Sequence, residues 1–210
     1  MGIYIFDTDV LVRTVSEDAK KASSHDFGRD IIPALIPTGR VHAFPFRDPE
    51  GAPGYWRDIG TLASYYEANM DLVNVSPVFN LYESALPLRT HARPLPPAKT
   101  VFAQEFEGGR LGTALDCLIC GGAIVSGGRV ERSILSPFVK VNSFAKVEDS
   151  ILMDRVVVGR HAKIRRAIID KNVHVPEGFT IGYDREQDAR RFLVTPEGIT
   201  VIPKGAHLED

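Results

Sequence analysis

The sequence predicts a mixed fold, in which a partial α/β segment is followed by a parallel β-helix. Three observations lead to this prediction: strand and helix patterns alternate over the first 84 residues, a proline-rich stretch follows them, and aliphatic residues recur at a fixed spacing from Ile124 to Ile181. We therefore expect three parts, namely residues 1–84, a linker over 85–99 and the β-helix over 100–210.

The β-helix is predicted from one aliphatic residue at every fifth or sixth position. The members of this column are Ile124, Val130, Leu135, Val141, Val147, Leu152, Val158, Ile164, Ile169, Val175 and Ile181. Three steps make 17 residues, so each triangular coil holds three short strands. An amphipathic helix would need apolar residues three and four apart, and an ordinary strand would need strict alternation. One coil cannot bury its own apolar face, so we expect the stacking of coils to stabilise the fold.

Composition and charge argue against several classes of protein. The 210 residues contain 44% hydrophobic residues, which is ample for a core, and a net charge of -2 argues against nucleic-acid binding. No apolar run is long enough to span a membrane, and residues 1–6 lack the features of a secretory signal. Cys117 and Cys120 form a C-x-x-C without further ligands at zinc spacing, which favours plain buried or half-buried thiols and a cytoplasmic location.

Strands and helices are predicted to alternate in the first part. The predicted elements are a strand over 2–6, a helix from Asp7 or Asp9 to about Val15, a helix over 26–36 capped by Ser24, and a strand over 40–46. Pro33 conflicts with the second helix, which we expect to kink or restart there. After a loop rich in proline and glycine, Thr61 is expected to cap a helix that continues to Leu72.

The remaining segments are less regular. Residues 86–97 contain four prolines and predict an extended, semi-rigid linker. Strands over 100–106 and 114–119 are expected to begin the β-helix irregularly, as terminal repeats usually do. Residues 183–191 form a polar, charged run, and short strands are predicted over 192–194 and 199–202.

Two motifs in the first part carry a resemblance to a known family. They are Ser24-His25-Asp26-Phe27-Gly28-Arg29-Asp30-Ile31-Ile32-Pro33 and Tyr55-Trp56-Arg57-Asp58-Ile59-Gly60-Thr61. With residues 1–6, 168–171 and 175–178, they resemble the carboxy-terminal half of bacterial glucose-1-phosphate adenylyltransferase, also called ADP-glucose pyrophosphorylase. The resemblance covers essentially the whole chain. It implies the last part of a Rossmann-like nucleotidyltransferase domain followed by a left-handed β-helix.

The resemblance implies a reaction of glycogen synthesis. A phosphate oxygen of glucose 1-phosphate attacks the α-phosphorus of ATP and expels pyrophosphate, while Mg²⁺ held by carboxylates bridges phosphate oxygens. The family's Gly-rich nucleotide loop, a second metal-holding Asp and a sugar-phosphate Lys have no counterpart in this sequence. We therefore expect the chain alone to be incomplete and inactive. The Gly-rich segment 107–112 is interpreted as an ordinary loop, because no apolar helix follows it.

Asp58 is the candidate catalytic and metal-holding carboxylate. It precedes a helix start and lies close to Gly60, where the backbone can approach a ligand. The alternative interpretation is that Asp58 merely caps the following helix.

The candidate substrate-binding residues are Trp56, Tyr55, His25, Asp26 and Gly2. The aromatic rings of the first two would pack on the C–H face of a sugar. The alternatives are core packing for the aromatic residues and a helix cap for Asp26.

A basic coil supplies a second candidate site. Its cations are Arg155, Arg160, Lys163, Arg165, Arg166 and Lys171, with Asp170 as the only acid among them. The coil is either a solvated face or a site for a phosphorylated regulator such as fructose 1,6-bisphosphate or AMP. The resemblance points to Lys171 and Lys204 as effector contacts, and we add Arg165 and Arg166 as candidates.

Two other functions remain open at this point. The first is a non-catalytic regulatory module, whose β-helix would form a homo-oligomer, expected to be a tetramer, and bind a phosphorylated metabolite. The second is a β-helix acyltransferase, which needs a catalytic histidine. It lacks support, because neither His161 nor His174 has surroundings that differ from an ordinary coil surface.

Overall fold

The computed structural model describes residues 2–48, 51–84, 87–88, 90–91 and 93–208. They form two compact units, one ending at Asp58 and the other beginning at Ile59. This division lies before the predicted boundary at residue 84, because the helix that follows Thr61 packs on the β-helix. Within the described ranges, no helix is long and apolar enough to cross a membrane.

The first unit contains helix α1, Thr8–Asp18, a π-helical turn, Phe27–Ile31, and helix α2, Ile32–Leu35. The carboxylate of Asp7 caps α1, as predicted, although the helix extends three residues beyond Val15. Asp26, and not Ser24, caps the second helical segment, because its Oδ1 accepts the N–H groups of Gly28 and Arg29 at 2.8 Å each. Pro33 lies in the first turn of α2, where a missing N–H is tolerated.

The two strands predicted in the first unit are wrong. Residues 2–6 and 40–46 have no regular secondary structure. A strand satisfies its backbone groups by pairing with a neighbour, and among the described residues of this unit the sole β-bridge joins Arg47 to Pro53.

The second unit is a parallel β-helix with three faces. Its strands are β1 Lys99–Val101, β2 Thr113–Leu115, β3 Leu118–Ile119, β4 Ile124–Ser126, β5 Arg129–Glu131, β6 Ile134–Leu135, β7 Lys140–Val141, β8 Lys146–Glu148, β9 Ile151–Leu152, β10 Val157–Val158, β11 Lys163–Arg165, β12 Ala167–Ile169, β13 His174–Val175, β14 Thr180–Ile181, β15 Leu193–Val194 and β16 Thr200–Ile202. Face one is β1-β4-β7-β10-β13, face two is β2-β5-β8-β11-β14, and face three is β3-β6-β9-β12-β16. All pairs within the faces are parallel, and β15 adds an antiparallel edge strand to face three.

The 17-residue repeat is confirmed by the strand register. Val130 pairs with Val147, and Val147 pairs with Ile164. Every predicted member of the column from Val130 to Ile181 is fully buried, while the strand residues beside it point outward. The aliphatic column therefore fills the prism between the three faces.

Ile124 is the one member of the column that the sequence placed wrongly. β4 pairs Val125 with Val141, so Val125 is the inward residue and is only 1% exposed. The corner after β4 is one residue shorter than its later equivalents. It consists of Gly127, with φ +73°, and Gly128, where a Cβ would lie 2.7 Å from the Asn142 carbonyl oxygen. This short corner shifts the register, which the constant 17-residue period did not predict.

A second apolar column covers the outside of face three and was not predicted. Its members in register are Leu118, Ile134, Ile151, Ile168 and Val201. Helix α3, Leu62–Asp71, packs its buried Tyr66 against this column. α3 begins as predicted at Thr61, whose side chain forms a capping box with Ser64.

An insertion closes the carboxy-terminal end of the β-helix. Ala167 pairs with Thr200, which is 33 residues further along the chain, so 16 residues before Thr200 are extra relative to the 17-residue repeat. The polar run predicted over 183–191 contains helix α4, Arg185–Arg191, which the sequence pattern did not indicate. Asp188 of α4 is buried and its Oδ2 accepts the N–H of Gly182 at 2.6 Å and the hydroxyl of Thr200 at 3.1 Å.

Residues 93–96, which precede β1, lie on the surface of the β-helix. Ala85, Leu86, Arg89 and Ala92 of the predicted linker lie outside the described residues. Further along, the Pro96 carbonyl accepts the N–H of Gly122 at 2.6 Å, and Arg93 Nη2 lies 2.8 Å from Asp154 Oδ2. These two contacts hold residues 93–96 against the β-helix.

Candidate functional sites

Asp58 is exposed at the end of the first unit. The alternative role considered for it, capping α3, is taken by Thr61, whose Oγ1 accepts the N–H of Ser64 at 3.1 Å. The carboxylate of Asp58 is therefore not needed for that cap and is accessible to a ligand.

Trp56 and Tyr55 differ in their exposure. Trp56 is 48% exposed, so the core interpretation is wrong for this residue, while Tyr55 is half-buried. The motif therefore exposes an indole and, two residues later, a carboxylate.

His25 and Asp26 lie in a network of hydrogen bonds. Nδ1 of His25 is 2.7 Å from Oδ2 of Asp18, and the Ser23 hydroxyl donates to the other oxygen of Asp18 at 2.8 Å. Hydrogen bonds from His25 and then Ser23 lower the pKa of Asp18. Asp26 is engaged as a helix cap, which fits its structural interpretation. Asp18, which orients His25, was not among the predicted site residues.

An aromatic cluster lies next to this network. The rings of Tyr4 and Phe27 stack at 5.7 Å between centroids, and Phe6 contacts both rings. Gly2 is exposed at the start of the described chain. A Cβ at Gly28 would lie 3.7 Å from the hydroxyl of Tyr4, so the cluster holds residues 2–6 beside the turn that begins at Phe27.

The described residues alone do not enclose a metal ion. No group of three or more His, Cys, Asp or Glu side chains in this part of the chain is arranged to hold one. Mg²⁺ is usually bound by one or two carboxylates and completes its shell with waters and substrate phosphates. Asp58 fits as one such ligand.

Lys171 and Lys204 lie together at one corner of the β-helix. Ile169 pairs with Ile202, so the two lysines occupy the same position in consecutive coils, where neighbouring strands are about 4.8 Å apart. The N–H of Gly205 donates to the carbonyl of Lys171 at 3.2 Å, and both lysines are exposed.

Arg165 and Arg166 lie elsewhere on the β-helix. Arg165 points outward from face two, with its guanidinium 4.6 Å from the ring centre of Tyr183. Arg166 lies at the corner between faces two and three, where its Nε donates to the Glu197 carbonyl at 3.2 Å. The basic coil is therefore divided among separate surfaces and does not form one cluster.

The two cysteines are free thiols that differ in their exposure. Cys117 is half-buried, as predicted, its Sγ donates to the Leu115 carbonyl at 3.0 Å, and burial raises its pKa. Cys120 is exposed, which corrects the prediction of a buried or half-buried thiol at this position. A cavity of about 460 Å³ lies between residues 72–82 and Asp116–Leu118, and none of the predicted site residues lines it.

Comparison with known protein families agrees with this architecture. A family model described as GlmU-like, C-terminal hexapeptide, matches residues 96–202, which is more than half of the chain. The chain belongs to this hexapeptide family. A second model, described as nucleotidyl transferase, matches residues 1–75. The hexapeptide family thus accounts for the β-helix, and the nucleotidyl transferase match includes both motifs of the first part.

Curated relatives extend the similarity over nearly the whole chain. The chain is 53% identical over 206 residues to a glucose-1-phosphate adenylyltransferase of Koribacter versatilis, covering 97% of this chain and 49% of that protein. The protein of the same name from Rhodopirellula baltica is 51% identical, covering 98% of this chain and 47% of the relative. The one from Thiobacillus denitrificans is 48% identical, covering 96% and 46%. The chain thus spans about half the length of these relatives.

Proposed function

We propose that this chain is the carboxy-terminal half of a glucose-1-phosphate adenylyltransferase, which makes ADP-glucose and pyrophosphate from ATP and glucose 1-phosphate for glycogen synthesis in the cytoplasm. The observation that carries the proposal is the 53% identity to such an enzyme over 97% of the chain. The motif over residues 55–61 exposes Trp56 and Asp58, which are the side chains proposed to pack on the sugar and to hold the metal.

Each residue of the first unit has a distinct task in this proposal. Asp58 would hold Mg²⁺, whose positive charge would neutralise the charge that develops on the phosphates. The indole of Trp56, with Tyr55 beside it, packs on the apolar face of glucose. The hydrogen bond between Asp18 and Nδ1 of His25 fixes the orientation and the tautomer of the imidazole ring. His25 then contacts the sugar phosphate with its other ring nitrogen. Asp26 shapes this loop, and the exposed backbone at Gly2 allows close approach of the substrate.

The test of this function is turnover by two forms of the protein. We expect the purified chain alone to release no pyrophosphate from ATP and glucose 1-phosphate in the presence of Mg²⁺, because its motif provides one carboxylate. We expect turnover when the chain is joined to the preceding half of the Koribacter versatilis relative. Turnover by the chain alone would contradict the proposal, as would a joined protein that folds and stays inactive.

The pair of lysines at one corner supports a regulatory role of the β-helix. Two ammonium groups in consecutive coils offer point charges to a phosphorylated metabolite such as fructose 1,6-bisphosphate or AMP. The β-helix would also assemble the protein into a homotetramer. Light scattering measures the assembly, and calorimetric titration of the wild type against Lys171→Ala measures binding. A monomer that gives no heat with either metabolite would count against this role.

A further inference from the structure

Face two carries two outward columns of charged side chains. Arg129, Lys146 and Lys163 are in register in the first column. Glu131, Glu148 and Arg165 are in register in the second, two residues further along each strand. Residues two apart on a strand point to the same side, so each coil presents one member of each column side by side.

In the first two of these coils, the cation is neutralised within its own strand. Arg129 Nε pairs with Glu131 Oε1, and Lys146 Nζ lies 2.9 Å from Glu148 Oε1. In the third coil the acid is replaced by Arg165. Neither Lys163 nor Arg165 has a carboxylate within ion-pair distance among the residues that the structure describes.

Contacts with Tyr183 hold the guanidinium of Arg165 in place. Its guanidinium lies against the ring of Tyr183, and the Tyr183 hydroxyl donates to Glu148 Oε2 at 3.0 Å. In the next coil, Thr180 pairs with Lys163, and the register places Gly182 beside Arg165. Gly182 has no side chain, and from that coil the ring of Tyr183 lies against the guanidinium.

We propose that Lys163 and Arg165 bind a small phosphate-bearing anion at the position where a glutamate carboxylate stands in each of the two preceding coils. The guanidinium would bind two phosphate oxygens, the ammonium would add a point charge, and the Thr180 hydroxyl can donate a further hydrogen bond. The site lies on face two, whereas Lys171 and Lys204 lie at the corner between faces three and one. It is thus a second anion site and does not depend on the adenylyltransferase activity.

The test is a titration of the full chain with inorganic pyrophosphate at about 0.15 M ionic strength, where exposed charges are screened beyond about 8 Å. Binding is followed by calorimetry and by the backbone amide resonances of Lys163, Arg165 and Thr180. Arg165→Glu restores the Lys–Glu pair of the preceding coil, so we expect this variant to fold. Its affinity at face two is expected to fall about tenfold or more, while Lys171→Ala leaves the resonance shifts of face two unchanged.

A gain-of-site variant provides the matched control. Glu131→Arg places a second cation beside Arg129, and we expect it to shift the amide resonances of Arg129 and its neighbours on titration. The proposal is overturned if pyrophosphate shifts only resonances at the Lys171 corner. It is also overturned if Arg165→Glu retains wild-type shifts and affinity at face two.

Discussion

The phenolic hydroxyl of Tyr66 donates a hydrogen bond of 2.6 Å to the backbone carbonyl oxygen of Asp149. The carboxylate of Asp149 in turn accepts two bonds from Arg132, at 2.7 and 2.9 Å. The guanidinium of Arg166 lies 5.5 Å from the centre of the Tyr66 ring. Burial raises the pKa of Tyr66, so the hydroxyl stays protonated and able to donate. One aromatic residue thereby joins α3 to the β-helix.

Substitution of Tyr66 tests this attachment. Tyr66→Phe keeps the ring and loses one hydrogen bond, so we expect the free energy of unfolding to fall by about 1 kcal/mol. Tyr66→Ala also removes the buried ring, with an expected loss of about 3–5 kcal/mol. Urea unfolding of the chain measures both variants, and an alanine variant as stable as the wild type would refute the role assigned to Tyr66.

A pair of variants at neighbouring positions tests the register of the first coil. Val125→Ala removes two buried carbon atoms, or about 1.6 kcal/mol at about 0.8 kcal/mol each, plus the cost of the cavity. Ile124→Ala removes three carbon atoms from a half-buried position and is expected to cost less, although the change is larger. Thermal unfolding of both variants decides between the registers. A larger loss for Ile124→Ala would restore the register predicted from the constant 17-residue period.

Ser150 connects two coils inside the corner between faces two and three. Its hydroxyl donates to the Glu148 carbonyl at 2.6 Å and accepts the Ala167 N–H at 3.2 Å. Ser150→Ala leaves that buried N–H without its acceptor, so we expect stability to fall by about 1–3 kcal/mol. Ser150→Cys is the matched control and is expected to be milder, because Cys117 already makes the corresponding bond in the first coil. Equal stability of wild type and alanine variant in denaturant would contradict this role.

Tyr183 is expected to make the stability of the folded protein depend on pH in the alkaline range. Burial, followed by the hydrogen bond to Glu148, raises the pKa of Tyr183 to about 12, against about 10 in the unfolded chain. Because the folded pKa is the higher one, the stability that Tyr183 contributes is fully present below about pH 10 and is lost as the pH rises through about 12. Tyr183→Phe should therefore lose stability less steeply over this window in unfolding experiments, and identical slopes would disprove the prediction.

Much of the β-helix could be predicted because every coil needs aliphatic side chains at the inward positions of its strands, where they are buried in a narrow prism. Every column member from Val130 to Ile181 satisfies it. The period failed at Ile124 because the Gly127–Gly128 corner changes the step by one residue, and nothing in the aliphatic spacing itself marks a shorter corner. Helix α4 was missed because its surface is almost entirely polar, and its one buried side chain, Asp188, gives no apolar period.

The candidate sites were also predicted only in part from the sequence. The resemblance of residues 55–61 to a motif of a known family singled out Asp58 and Trp56, which spacing alone did not, and the structure finds both exposed. The number of basic residues in the sequence identified the basic coil. It could not show on which face or corner each basic side chain lies, because residues that are adjacent in sequence belong to different faces at each corner. Only the strand register shows that Lys171 lies beside Lys204, and that Lys163 and Arg165 occupy the positions of an ion pair.

The most direct test of the account is the effect of Asp58→Asn on turnover in the joined protein described above. Loss of a metal-holding carboxylate is expected to cost about 3 kcal/mol in the transition state, which is on the order of a hundredfold in kcat. Asp7→Asn, which changes a helix-capping carboxylate in the same unit, serves as the control and should retain full activity. We predict that ADP-glucose formation falls at least about a hundredfold for Asp58→Asn alone. Equal kcat values for the two variants would contradict the account.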